Sequence, residues 1–299
     1  LSTYTHDSNE IRLLIEYILN AAKFNLRVNV IMSGPSGSGK STTAMFIMQI
    51  LQYHKISCAI FSTDSYFIIN DEYCFDKNKL IEFHNKNLNE YSRSDAQVKI
   101  VDNTNLTYYE HKSYIMAGAV SIIIKMVKEY KSTHINDLNI IAIQRKRHNK
   151  YKICPSYCGL FPRYDDVNNI INNINNTIGI NGIKITQVIP LHITTQYNSN
   201  KCELLKLDNF DELGNKYNIK VTGYSISLAG GCLLVALDDI NHTDDIDDTF
   251  KYDPTIKYHI TLFTNDKYSP VDVGKYITSE NSILFDYPIY LSTIFLPYY

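Results

Sequence analysis

Apolar side chains recur at helical spacing through residues 11–24 (IRLLIEYILNAAKF), the pattern of an amphipathic helix that buries one stripe. A short unbroken apolar run follows at 28–32, then a glycine- and serine-rich segment at 33–39, then a second helical pattern from Lys40 to about His54. Two more short apolar runs, 58–61 and 98–101, end at Ser62-Thr63-Asp64 and at Asp102-Asn103, and a run at 120–124 extends the set. Short apolar strands alternating with helices predict parallel βαβ units, because such strands are covered on both faces. Past residue 185 the pattern changes. Stretches 185–195, 217–228, 231–238 and 256–263 read as strands, several with apolar–polar alternation, and Gly230-Gly231 between two of them signals a hairpin. The asparagine-dense stretch around 165–185 reads as a solvent-facing linker. The expected division is therefore an α/β parallel-sheet domain at 1–165, a linker at 166–184, and a β-rich α+β domain with antiparallel lobes at 185–299.

Composition narrows the function classes. With 299 residues, length alone argues for two domains, each large enough to bury a core. A net charge of −2 gives no field for gripping long nucleic acid, yet it leaves room for a site that holds one or two phosphates. No apolar run approaches the roughly 20 residues of a membrane helix. The start lacks the basic and apolar regions of a signal peptide, so a cytoplasmic location is expected. The chain begins at Leu1, which suggests a piece of a longer polypeptide. Six cysteines fall without a disulfide rhythm and are expected to be reduced; Cys154 and Cys158 lack the second Cys/His pair of a zinc site.

Two constellations carry chemistry. The first is Gly34-Pro35-Ser36-Gly37-Ser38-Gly39-Lys40-Ser41, a full match to the phosphate-binding pattern G-x-x-x-x-G-K-[ST]. Gly34, Gly37 and Gly39 let backbone N–H groups turn onto phosphate oxygens, Lys40 reaches the outer phosphates, and Ser41 ligates Mg²⁺, with Thr42 beside it. Asp64 and Asp102 follow apolar runs, on the sheet edge where such folds bind ligands. A carboxylate there can take a proton from an attacking hydroxyl or hold Mg²⁺ through water; it can equally be a strand-end or helix-capping residue.

From FSTDSYF (61–67), Tyr73-Cys74-Phe75-Asp76, His84 and VDNTN (101–105), residues 28–125 resemble polynucleotide-kinase-like P-loop proteins. The resemblance implies ATP or GTP with Mg²⁺ at Lys40 and Ser41, Asp64 as the base for a 5′-hydroxyl, and Asp102 in support. Phage-type kinases carry an arginine three positions after the base, to grip the acceptor's phosphate; here that position is Phe67. Lid arginines could come from Arg145 or Arg147 in QRKRH, a stretch that reads equally well as a solvated basic patch.

The second constellation is a pair of His-x-Thr segments, Leu191-His192-Ile193-Thr194-Thr195 and Tyr258-His259-Ile260-Thr261-Leu262. On a strand, His and Thr two apart share a face while the intervening Ile turns to the core. Two such strands side by side offer two imidazoles for general acid–base chemistry and two hydroxyls to hydrogen-bond a charged phosphate. One His-x-Thr alone is usually structural. The pair resembles the two-histidine (2H) phosphoesterase superfamily. With KVTGYSISLAGG (220–231) and the ending IFLPYY, the chain is similar to the two-domain 2′,3′-cyclic-nucleotide 3′-phosphodiesterases of the myelin type, and to the kinase–cyclic phosphodiesterase module of fungal tRNA ligases. The resemblance implies opening of 2′,3′-cyclic phosphates to 2′-phosphates at His192, Thr194, His259 and Thr261 without a cofactor, RNA ends or small cyclic nucleotides as partners, and work alongside an RNA ligase. The main alternative is a viral or host phosphodiesterase of 2′–5′ oligoadenylate or cyclic dinucleotides whose P-loop serves only binding or regulation. A small-metabolite kinase fused to a degenerate β domain is a third.

Overall fold

The computed structural model describes residues 8–115, 119–126, 137–150, 157–178, 185–188, 191–197, 214–242 and 253–298. Two compact units emerge, the first made of Leu1–Lys23 and Arg27–Cys154, the second of Phe24–Leu26 and Pro155–Tyr298.

In the first unit, helix α1 (Ser8–Lys23) precedes strand β1 (Arg27–Ser33), helix α2 (Lys40–Tyr53) and strand β2 (Cys58–Phe61). After a 3-10 turn at Thr63–Phe67 comes a tiny hairpin, β3 (Ile68–Ile69) and β4 (Glu72–Tyr73). Then follow helix α3 (Leu80–Arg93), strand β5 (Val98–Val101), helix α4 (Tyr108–Lys112), strand β6 (Ala119–Lys125) and helix α5 (Leu138–Lys150). The four long strands form one parallel sheet in the order β2-β5-β1-β6. The buried faces explain the unbroken apolar runs. Every residue of β5 is buried, and even Lys99 is accommodated by turning its ammonium onto the Tyr91 carbonyl at 2.8 Å. The strands predicted at 28–32, 58–61, 98–101 and 120–124 all lie within this sheet.

The second unit holds strand β7 (Tyr157–Pro162), helix α6 (Tyr164–Ile178), and strands β8 (Ile185–Gln187), β9 (Ile193–Tyr197), β10 (Lys216–Ser227), β11 (Gly230–His242) and β12 (His259–Asn265). It closes with helix α7 (Pro270–Lys275) and strand β13 (Ser282–Tyr298). Seven of these strands make one sheet in the order β8-β12-β11-β10-β13-β7-β9, antiparallel at every pairing. Strand β9 at one edge nevertheless comes within 8 Å, Cα to Cα, of β12 near the other edge. The sheet is therefore curled almost into a barrel.

Three expectations are corrected. Residues 185–195 are not one strand: β8 pairs with β12, and the chain then crosses to pair β9 with β7, as a sheet closing on itself requires. The division between units falls between Cys154 and Pro155, earlier than expected. The stretch read as a linker from 166 to 184 is helix as far as Ile178, and its Val167, Ile170 and Ile174 are buried in the second unit's core. An isoleucine or valine every third or fourth residue suffices to anchor that helix although asparagine fills its other face.

Candidate active sites

The first site grows from the edge where β1, β2 and β5 end together. Parallel pairing sets Ile31 beside Val101 and Phe61 beside Val101, so the loops after all three strands open on one side. The loop after β1 is tied down by Gly34 N–H donating to the Thr104 carbonyl at 2.8 Å. Gly37 and Gly39 have φ of 76° and 86°, left-handed backbone that glycine takes at little cost. These two residues bend the loop into the start of the 14-residue helix α2, whose first N–H groups suit an anion. Lys40 is buried with its ammonium donating to the Pro35 carbonyl at 2.9 Å, while Ser41 and Thr42 are exposed on the first turn. Burial pulls the Lys40 ammonium below its ordinary value, and the nearby charges of Asp102 and Asp64 oppose that shift. These features fit a nucleotide's phosphate chain and its Mg²⁺: a left-handed glycine cradle, a lysine, a hydroxyl and two carboxylates.

Asp64 is exposed in the turn after β2, and Asp102 is buried just past β5, its N–H donating to the Phe61 carbonyl at 2.8 Å. Asn103 braces the pair of loops, accepting from Thr63 N–H at 2.9 Å and donating to the Tyr114 hydroxyl at 3.3 Å. The Thr63 hydroxyl is bonded to His84 Nδ1 at 3.0 Å, so His84 supports the Asp64 loop. From α5, Gln144 accepts from Ser36 N–H of the phosphate loop at 2.8 Å. Arg147 is ion-paired with Glu110 of α4, whereas Arg145 is half-buried. Of the QRKRH stretch, Gln144 thus meets the phosphate loop and His148 is buried, while Lys146 and Arg147 are exposed. Phe67 is buried and packs against Phe83, Phe75 and Tyr73 at ring separations of 4.8, 5.0 and 6.1 Å.

The second site lies on β9 and β12. Leu191 and Ile193 share one core cluster with Tyr258 and Ile260. The alternation that buries Leu191, Ile193, Tyr258 and Ile260 turns His192, just before β9, with Thr194, His259 and Thr261 to the opposite face. The His192 ring stacks on Phe161 of β7, with centroids 5.6 Å apart and planes inclined by 29°. Thr194 is exposed, and Thr195 donates to the Cys158 carbonyl at 3.2 Å. Across the curl, His259 Nδ1 sits 3.0 Å from the Lys257 carbonyl. A carbonyl can only accept, so Nδ1 carries the proton and Nε2 is left for other work. Burial pushes the His259 imidazole below its ordinary 6.5, partly offset by that hydrogen bond.

Helix α7 closes this side. Ser269 and Asp272 form its capping box, Val273 and Ile277 pack on Cys232 and Ala229, and the Thr261 hydroxyl reaches the Pro270 carbonyl at 3.5 Å. Gly274 lies so close to His259 that a Cβ there would stand 2.5 Å from Cε1 and 3.1 Å from Nε2. Phe161, Gly274 and the Lys257 carbonyl were not singled out in the sequence. A glycine inside a short helix was the one available signal. Among the described residues no group of three or more His, Cys, Asp or Glu side chains is placed to hold a metal. Of the cysteines, Cys58, Cys74, Cys158 and Cys232 are free thiols, and burial pushes those of Cys158 and Cys232 up to about 12. Cys154 and Cys202 lie outside the described residues.

No known family profile matches the chain. Over 91 residues, 29% of its length, it is 42% identical to NEDD4-binding protein 2 of Homo sapiens, of which this match spans 5%. A crystal structure of a fungal RNA kinase superposes over 92% of this chain and 100% of that one, at 11% identity and a TM-score of 0.33. Unliganded Pif1 from Bacteroides sp superposes over 99% of this chain and 82% of that one, at 12% identity and 0.22. At such scores neither superposition bears on the fold or the function. Among the described residues, no helix is long and apolar enough to cross a membrane.

Proposed function

We propose that this chain processes RNA ends: its second unit opens 2′,3′-cyclic phosphates to 2′-phosphates, and its first unit phosphorylates 5′-hydroxyls from ATP or GTP. The observation that supports this reading is the approach of β9, which follows His192 and holds Thr194, to within 8 Å, Cα to Cα, of β12, which holds His259 and Thr261. His259, neutral and with Nε2 free of its own backbone bond, suits the general base that takes a proton from water. Water's oxygen attacks phosphorus in line, the bond to the 3′ oxygen breaks, and His192 returns a proton to that oxygen. The Thr194 hydroxyl, and that of Thr261 once it turns from the Pro270 carbonyl, donate to the non-bridging oxygens as charge builds. These four side chains supply the acid, the base and the donors without a cofactor.

At the first site, bound ATP or GTP would supply the phosphoryl group and Mg²⁺ would offset its charge. Gly34, Gly37, Gly39 and Lys40 would hold the phosphates, Ser41 and Asp102 the metal side, Thr42 the helix start, and Asp64 would take the proton of the acceptor hydroxyl. Product analysis tests the whole reading. A 5′-hydroxyl oligoribonucleotide ending in a 2′,3′-cyclic phosphate should gain a 5′-phosphate and end in a 2′-phosphate. Faster cleavage of 2′–5′ linked oligoadenylate or cyclic dinucleotides would favour the alternative. One observation supports a narrower role for the first unit: Phe67 is buried in an aromatic cluster, so no charge is available at that position to grip an acceptor phosphate. Mg²⁺-nucleotide binding without transfer to 5′-hydroxyl RNA would select that reading.

A further inference from the structure

The hairpin beside Asp64 is more elaborate than a connection needs. The chain could pass directly from the 3-10 turn at Thr63–Phe67 to α3, yet it makes a two-stranded excursion in which Ile68 pairs with Tyr73 and Ile69 with Glu72. Asn70 and Asp71, at φ of 49° and 65°, form a two-residue turn of the type that matches the natural twist of paired strands. Both residue types tolerate left-handed backbone better than most, so the turn is written in the sequence. The hairpin is then fastened back on the 3-10 turn: Cys74 N–H donates to the Phe67 carbonyl at 2.7 Å. Phe67, buried at 1% exposure, packs edge-on against Tyr73 and against Phe83 of α3, and tilted against Phe75.

This construction fixes one polar contact. The Tyr73 hydroxyl donates to Asp64 Oδ1 at 3.0 Å. A carboxylate on an exposed turn would otherwise rotate freely about its terminal bond, which is a broad, soft torsion. A donor on one oxygen fixes the carboxylate plane and leaves the other oxygen for an incoming hydroxyl. Burial, the charge of Asp64 and the hydrogen bond to it all push the Tyr73 phenol above its ordinary 10, so it keeps its proton and remains a donor.

Resting on the reading of the first unit as a 5′-hydroxyl kinase, we propose that Tyr73 is a positioning residue of that site, orienting Asp64 from a hairpin held by the Phe67 aromatic cluster. Phe67 then has a use at a position where a phosphate-gripping cation is missing: it anchors the element that aims the base. The role makes no demand on the nucleotide side, so it acts on turnover and leaves nucleotide affinity alone.

The test is a double-mutant cycle in the intact chain, using transfer from radiolabelled ATP to a 5′-hydroxyl oligoribonucleotide and the variants Y73F, D64N and Y73F/D64N. Loss of the base is expected to lower kcat about a hundredfold or more. Y73F should lower kcat about tenfold with the KM for ATP unchanged, which also shows that the P-loop remains folded. In the D64N background Y73F should cost nothing further, since a residue that acts only through Asp64 has nothing left to orient. Wild-type turnover in Y73F, or an equal tenfold loss with and without Asp64, would overturn the role of Tyr73 while the kinase reading stands. No transfer by the wild type would overturn both.

Discussion

A single glycine decides where the His259 imidazole can sit. Gly274 approaches its ring so closely that a methyl group would overlap Cε1, and α7 cannot retreat while Val273 and Ile277 are packed on the sheet. Gly274→Ala is therefore expected to push the ring out of line and lower kcat for cyclic-phosphate hydrolysis by tenfold or more, with circular dichroism unchanged. The same side chain sets a pH expectation. Burial lowers the His259 pKa from 6.5, so the neutral base persists as pH falls through 6.5 and is lost only below it. The acid limb of kcat/KM should lie below pH 6.5, and a limb above that value would exclude His259 as the base. At the other site, Lys40→Ala removes the buried ammonium facing Asp102 and Asp64 and should abolish binding of Mg²⁺-ATP by calorimetry.

Elements, more than residues, explain what could be read in advance. Strand β5 was legible because every position is apolar or, at Lys99, buried by a long stem, and α2 because its buried Ala44, Ile47 and Leu51 recur at helical spacing. The His-x-Thr segments were legible because Ile193 and Ile260 must face the core, which turns their neighbours outward. Ile260→Ala should cost about 2–5 kcal/mol in denaturant unfolding of the second unit, the range for emptying a packed site. Helix α6 was not legible as core, since asparagine so dominates its sequence that three buried side chains were outweighed. Strands β8 and β9 were not legible as separate, because the break between them follows from closure of the sheet, a property of distant strands and not of local spacing. For the same reason the partners of the two histidines, Phe161 and Gly274, carried little signal: each is brought to its imidazole by tertiary packing alone.

For the whole molecule, the proposed function gives the two units separate chemistries with opposite demands. Chelating metal with EDTA should silence phosphoryl transfer and leave cyclic-phosphate hydrolysis at full rate. The first unit should also be acid-sensitive. His111 and His148 are both buried, and burial takes each pKa from 6.5 to about 4; for His148 the charges of Lys125 and Lys40 add to the effect. The unfolded chain binds these protons near pH 6.5 while the folded chain refuses them until about 4, so stability falls as pH drops through that window. At pH 5 the loss is about 2 kcal/mol for each histidine taken alone, readable as a fall in Tm relative to pH 7.5. The roles of the two histidines are tested most directly by hydrolysis of 2′,3′-cyclic nucleoside monophosphate in EDTA. Wild type should yield the 2′-phosphate, and His192→Ala and His259→Ala should each lose a hundredfold or more, as expected for removing a general acid or base. Hydrolysis that survives either substitution, or a 3′-phosphate product, would contradict the account.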